Sequence, residues 1–432
     1  MKSLFYCFLL TAAVMAGAAD FEIKIENSSK NGWVKKGEQV QVKATVLKDG
    51  KPISRGYTLR VSHWIDGKPA KGYTVAAEKC FSGVLSLENP GWSYLHFILR
   101  DTAKNNARVM LKGRQSASGT GIMLDPYKIQ PSRPEPVDFD VFWNANKAEL
   151  TKVPLKVLEK KAVSINASTD KNIACYDMKI ACAGPKPVSG YLCVPRNGKR
   201  KYPVILNLAG AGVGSSAKVF YPDMISFSIN AHGIANGEKP GFYTALANGE
   251  LKNYPRIGEA DRNRIYFKYM FLRVLRALEY LKTVPEWNGK DIIVRGSSQG
   301  GAQTLFAAAM DKDVTLAVAA VPAMCDISGC LASPVRRSGW PKPYGPAKAD
   351  MAKWIAWDYY DCVNFARRIT CPIYISTGFN DATCPPSSVF CMFNQLKSQQ
   401  KHIETHRDMG HVSRNDAGNA AINKVRQKAS KK

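Results

Sequence analysis

A chain of 432 residues exceeds what one small core needs, so two domains are the expectation. Its 45% hydrophobic content is that of a globular protein, and beyond the N-terminus no stretch is apolar for long enough to span a membrane. Sixty-one Lys and Arg stand against 35 Asp and Glu, a formal net charge of +26 that admits an acidic partner. No nucleic-acid motif accompanies the charge, which reads instead as a basic solvated surface ending in the tail "NKVRQKASKK".

The opening "MKSLFYCFLLTAAVMAGAAD" has Lys2, then an apolar run from Leu4 to Val14, then the small residues Ala16, Gly17, Ala18 and Ala19. That is the order of a secretory signal peptide, so residues 1–19 are set apart and an exported protein, periplasmic or secreted, is expected. Eleven cysteines occur, ten of them after this leader. Their spacing is neither that of a small disulfide scaffold nor that of a metal site. Cys325 and Cys330 are near enough in sequence to pair, with buried free thiols as the alternative.

Residues 20–125 alternate apolar and polar in short runs such as "FEIKIE", "VQVKATV", "YTLRVSHWI" and "YLHFILR". Breaks at "KDGK", "IDGK" and "ENPG" punctuate them, and Asp-Gly between alternating runs is a hairpin signal. The pattern predicts an immunoglobulin-like β-sandwich. His63 and His96 fall within these strands and read as packed or surface residues. "DPYKIQPSRPEPVDFD" then reads as a linker or extended arm, and "VDFDVFWNANKAELTKV" has helical periodicity.

From about residue 170 the runs become continuously apolar: "PVILNLAG", "ISFSINAHG", "DIIVRGSS", "LAVAAVPAM" and "CPIYISTGFND". Helical stretches separate several of them, notably "RIYFKYMFLRVLRALEYLKTV". Buried strands alternating with helices predict a mostly parallel sheet covered on both faces, an α/β unit over 126–432. Ligands of such sheets bind beyond the carboxyl ends of the strands.

At one strand end lies "DIIVRGSSQGGAQ". Gly296 and Gly300 flank Ser298 in the pattern Gly-x-Ser-x-Gly; Ser297 has no such flanks. A nucleophile elbow is a strained strand-to-helix turn that side chains at the flanking positions would obstruct, so Ser298 is the candidate nucleophile. Chain order then asks for an acid and a late histidine. Asp381, in "ISTGFNDATCPP", follows an apolar strand; Asp326, after "AVAAVPAMC", is the competing acid. His411, in "DMGHVS", is the candidate base. His402 and His406 in "KHIETH" lack a third ligand and read as surface or structural. Backbone N–H donors for an oxyanion are expected from Gln299 and from Ala211 in the Gly-rich "AGAGVGSS". That stretch has no P-loop lysine and no acidic ribose partner, which argues against a nucleotide. His232, in "NAHGIANG", lines an acyl or sugar pocket or caps its loop; the sequence favours neither.

These motifs resemble the acetyl xylan esterase and cephalosporin-C deacetylase family of carbohydrate esterases. "GSSQGG", "GFNDATCPPSSVF", the late Gly-His and the segment "KIQPSRPEPVDFDVFW" carry the likeness, over roughly residues 126–415. The resemblance implies an α/β-hydrolase, with Ser298 as nucleophile, Asp381 as acid, His411 as base, and Ala211 where the family commonly has Tyr. It implies deacetylation of xylan or xylo-oligosaccharides without cofactor or metal. Departures are "NAHGIANGEKPGFY" where the family usually shows Arg-Gly-Gln, Val412 where Glu usually follows the late His, and the extra N-terminal sandwich. They bear on the family's substrate range and its ring-shaped hexamer; an oligomer is left open. The long segment "SPVRRSGWPKPYGPAKADMAKWIAWDYYD" reads as a lid whose Trp340, Tyr344, Trp354 and Trp357 could stack on sugar rings or pack within it. The expected partner is an acetylated polysaccharide, with no nucleic acid and no membrane span. The rival readings are an exported peptidase or other esterase of the same fold, and a non-catalytic glycan-binding protein.

Overall fold

The computed structural model describes residues 20–114, 117–196, 200–342 and 350–430. The leader at 1–19 and Tyr344 lie outside these residues. Among them, the N-terminal strands form two sheets. One joins Phe21–Asn27, Val40–Lys48, Lys51–Pro52 and Phe81–Leu85; the other runs through Ser118–Leu124, Gly91–Asp101, Tyr57–Ile65 and Lys68–Ala76. Side chains on a strand alternate between faces. Val40, Val42, Ala44 and Val46 of the first sheet therefore meet Leu59, Val61, Leu95, Phe97 and Leu99 of the second in one core, with Lys43 and Arg60 left outside. Both Asp-Gly breaks are hairpins: Asp49 and Gly50 join Val40–Lys48 to Lys51–Pro52, and Asp66 and Gly67 join Tyr57–Ile65 to Lys68–Ala76. Asp49 and Gly50 adopt φ of 53° and 77°, the left-handed pair that a two-residue turn needs. The "ENPG" break instead carries the chain from one sheet to the other.

The second unit is built on a nine-stranded sheet. From one edge its order is Val157–Ala162, Ile173–Ile180, Val188–Pro195, Ile225–Ile229, Tyr202–Leu208, Trp287–Ser297, Leu316–Ala320, Ile373–Gly378 and Lys401–His406. The last six of these pair in parallel, and the three at the first edge are antiparallel. Short, helix-free connections join the antiparallel edge strands; the parallel strands are joined through helices, except that the helix-free loop 209–224 joins Tyr202–Leu208 to its neighbour Ile225–Ile229. Alternate residues of the central strands serve the two faces. Val204, Leu206, Ile292 and Val294 join the large core with helices Phe139–Thr151, Phe267–Leu281 and Gln299–Met310. Ile205, Ile293, Leu316 and Val318 face the C-terminal helix Asp416–Ser430 through Ala421 and Ile422. Phe267–Leu281 is buried nearly all round, so its Arg273 and Arg276 spend their guanidinium N–H groups on backbone carbonyls: Ala231 at 2.8 Å, and Leu150 and Val153 at 2.7 Å each.

Candidate active site

Strand Trp287–Ser297 turns at Ser298 into helix Gln299–Met310. Ser298 has φ 57° and ψ −121°, a region costing an L-residue about 1–3 kcal/mol. The surroundings hold it there: Ser298 N–H donates to Ala320 O at 3.0 Å, and Ser298 O accepts from Ala302 and Ala323 N–H at 3.1 and 3.0 Å. The flanking glycines have the steric reason expected of them. A Cβ on Gly296 would collide with Gly300 backbone, and one on Gly300 with Leu208 O. Gly301 lets the helix pass Pro322, whose Cα would lie 2.9 Å from an added Cβ. Ser297 turns instead toward the histidine loop, its Oγ 2.5 Å from Ser413 Oγ.

Asp381 lies on the loop after Ile373–Gly378 and is fully buried. Its Oδ1 accepts from the backbone N–H of Thr383 at 2.8 Å and of Cys384 at 2.9 Å. Its Oδ2 lies 2.7 Å from His411 Nδ1. A carboxylate only accepts, so the hydrogen sits on Nδ1 and Nε2 keeps its lone pair. The His411 side chain is 31% exposed, so the base end of the pair faces solvent while its acid end does not. Cys384 completes the cluster. Its thiol is pushed well up by burial, and the nearby Ser298 hydroxyl acts in the opposite direction. Its Sγ, the Asp381 carboxylate and a ring nitrogen of His411 lie within 4.8 Å of one another. The structure thus brings Ser298, Asp381 and His411 around Cys384, which sequence reasoning passed over although it sits in the quoted Asp-x-x-Cys-Pro-Pro run.

The competing acid is engaged elsewhere. Asp326 is buried against Arg336 at 2.8 Å and accepts from Ser132 N–H and Oγ at 3.0 and 2.6 Å, tying the extended arm to the second unit. His406 Nε2 lies 3.0 Å from Glu404, and His402 packs beside Tyr374, ring centroids 5.9 Å apart.

Gln299 opens the helix after Ser298, and its side-chain Oε1 accepts from Tyr254 OH at 2.6 Å. Ala211 lies in the exposed turn 210–212 of the glycine-rich loop. That loop is fastened from beneath by His232, which is 1% exposed. His232 Nε2 is 2.9 Å from Gly212 O and Nδ1 is 2.8 Å from Tyr266 OH. Burial lowers its pKa to about 4, so the ring is neutral; it donates from Nε2 to the carbonyl and accepts at Nδ1 from the phenol. His232 thus caps its loop through both ring nitrogens, and it also lines the pocket formed by residues 209–216 and 230–232.

Trp340 is half-buried, edge-on to Tyr254 and Phe267, and its backbone N–H donates to Thr383 O at 3.1 Å. Trp354 and Trp357 are 4% and 1% exposed and belong to the large core, in keeping with the packing alternative left open for them. Sequence reasoning also missed Arg337 and Lys342, which bring their cationic groups to Ala382 O at 3.0 and 3.3 Å. Burial lowers Lys342 to about 8.

A mostly parallel sheet with a Gly-x-Ser-x-Gly elbow, an acid after a later strand and a histidine after the last strand defines an α/β-hydrolase. The chain belongs to the acetyl xylan esterase (AXE1) family, whose sequence profile matches residues 123–428. It is 35% identical over 300 residues to acetyl esterase Axe7A of Xylanibacter ruminicola, covering 65% of each chain. The chain therefore spans about 65% of the length of that curated relative. Among solved structures it resembles an acetyl xylan esterase from Paenibacillus sp. R4, with TM-score 0.57, 24% identity and coverage of 69% of this chain and 97% of that one. Acetyl xylan esterase 1 from Thermoanaerobacterium sp. JW/SL YS485 follows with TM-score 0.53 and 21% identity over 70% of this chain and 97% of that one. None of the described helices is long and apolar enough to cross a membrane.

Proposed function

We propose that this chain is a serine carbohydrate esterase that removes O-acetyl groups from xylan or xylo-oligosaccharides. The observation that carries the reading is the 2.7 Å bond from His411 Nδ1 to a fully buried Asp381, beside a serine held at the elbow. Family membership and a relative named for acetyl ester hydrolysis support the substrate class.

In this reading His411 Nε2 takes the Ser298 proton as Oγ attacks the acetyl carbonyl. The oxyanion is met by the N–H groups of Gln299 and Ala211, the first of them at a helix N-terminus that favours negative charge. His411 returns the proton to the departing sugar oxygen, leaving acetyl-Ser298. A water then gives its proton to His411, attacks the acyl carbon and releases acetate and free Ser298. Asp381 keeps the imidazole in the required tautomer and stabilises the imidazolium. Residues 20–125 and 126–432 are its two domains, and residues 1–19 are its export leader.

The test is acetate released from acetylated xylan by the purified protein, beside Ser298→Ala. Release by the wild type and at least a thousandfold less by the variant is expected. Equal release by both would refute the serine mechanism. Ser298-dependent hydrolysis of a small acetyl ester without release from xylan would refute the substrate.

A further inference from the structure

The N-terminal sandwich reaches the two loops that carry Asp381 and His411. Trp92, on strand Gly91–Asp101, donates its indole Nε1–H to Phe379 O at 2.7 Å, two residues before Asp381. Thr120, on the adjacent strand Ser118–Leu124, donates its hydroxyl to Asp408 Oδ1 at 2.6 Å, three residues before His411. Asn27 Nδ2 donates to that hydroxyl at 2.8 Å, which leaves the Thr120 proton for Asp408. Arg407 Nη1 returns a bond to Ser29 O at 2.5 Å.

The approach is close because the sandwich offers glycines there. A Cβ on Gly119 would collide with the Asn380 side chain, and one on Gly121 with Phe379 O. Arg337 braces the far side of the acid loop. Its Nε donates to Ala382 O at 3.0 Å, its Nη1 to Tyr94 OH at 3.1 Å, and its guanidinium lies 5.2 Å from the Trp64 ring. Trp92 and Tyr94, stacked at 4.0 Å, belong to the core of the α/β unit, not to that of the sandwich. The two loops are also bonded to each other, Asn380 N–H to Met409 O at 2.9 Å.

We infer that Trp92 and Thr120 are positioning residues for the Asp381–His411 pair, so that the sandwich is a working part of the site. Each fixes one of the two loops whose separation sets the 2.7 Å bond. Catalytic groups must be held within roughly 0.5 Å of productive geometry, and a misplacement of about 1 Å can cost on the order of a hundredfold in rate. The inference rests on the esterase reading, and the test separates the two.

Trp92→Phe keeps the stacked ring and removes the indole donor; Thr120→Val is near isosteric and removes the hydroxyl. Each is made in the full chain and compared with wild type on p-nitrophenyl acetate, by thermal melting, and by the downfield proton resonance of His411 Nδ1–H, assigned by its absence in His411→Ala. Expected are a kcat lower by about ten- to a hundredfold, KM within about twofold, a resonance that shifts or broadens, and a retained cooperative melt. Should Trp92→Phe fail to fold, Thr120→Val decides. Folded variants with unchanged kcat and an unmoved resonance overturn the inference. A wild type that hydrolyses no ester, with a resonance that still moves in the variants, overturns the esterase reading and leaves the positioning role standing.

Discussion

Replacing Asp381 by Asn tests the site at its most constrained atom. The aspartate accepts three N–H bonds from full burial, two at Oδ1 and one at Oδ2. In Asp381→Asn the amide oxygen can keep the Thr383 and Cys384 donors, which leaves the NH2 group facing His411 Nδ1. Two donors cannot face each other, so the imidazole must move its hydrogen to Nε2 and accept at Nδ1. Nε2 then has no lone pair for the Ser298 proton. The same substitution in a serine-protease triad lowers kcat about 10⁴-fold, and a comparable loss, about 5.4 kcal/mol of transition-state stabilisation, is expected here. The fold should survive, because the amide matches the carboxylate in shape and keeps the loop's two backbone bonds. The assay is kcat on p-nitrophenyl acetate at neutral to mildly alkaline pH, with a thermal melt as control. A folded variant that loses less than about tenfold would show that Asp381 does not orient the base.

Asp326→Asn separates the two acids: with Arg336 buried beside it, weakening the pair should destabilise the protein by up to about 3–5 kcal/mol while the folded fraction keeps kcat within about threefold, read by urea denaturation and active-site titration. Gly300→Ala places a methyl 3.0 Å from Ala209 O and 2.9 Å from Leu208 C, besides its collision with Leu208 O; a loss of about 1–3 kcal/mol with a matching fall in Ser298 reactivity toward a fluorophosphonate is expected, and full reactivity would refute the steric account of the elbow. His232 supplies a pH prediction. Folded, it stays neutral down to about pH 4; unfolded, it titrates near 6.5. As pH falls below 6.5 the unfolded chain takes up a proton that the native state refuses, so stability drops until about pH 4, by at most about 3 kcal/mol. His232→Gln lacks that term. Its stability deficit against wild type should therefore shrink by about 2 kcal/mol between pH 7 and pH 5, and a pH-independent deficit measured by urea denaturation would contradict the assignment.

The parts of this molecule legible in its sequence are those whose causes are local. The elbow is a steric demand between residues two apart, so Gly296, Ser298 and Gly300 carry it in the chain itself, and the structure shows the collisions that glycine avoids. The Asp-Gly hairpins are local in the same sense. The choice between Asp381 and Asp326 is not. Both follow apolar strands, and what separates them is the partner each carboxylate meets after folding, His411 for one and Arg336 for the other. Trp354 and Trp357 show the same limit from another side: an aromatic-rich insertion fits a sugar platform or a core, and only packing decides.

Trp92 is the extreme case. It falls between the "ENPG" break and the alternating run "YLHFILR", and the carbonyl it serves lies 287 positions away, in the α/β unit. No periodicity within the sandwich can report a neighbour that the chain supplies so much later. What the sequence does hold is a trace of the contact, the small-residue run Gly119-Thr120-Gly121 on a strand otherwise closed by the apolar Ile122, Met123 and Leu124. Glycine weakens a strand unless another backbone must come close. The backbone that comes close here is the loop of Asp381, so on this strand the departure from good strand chemistry falls where the sandwich meets the site.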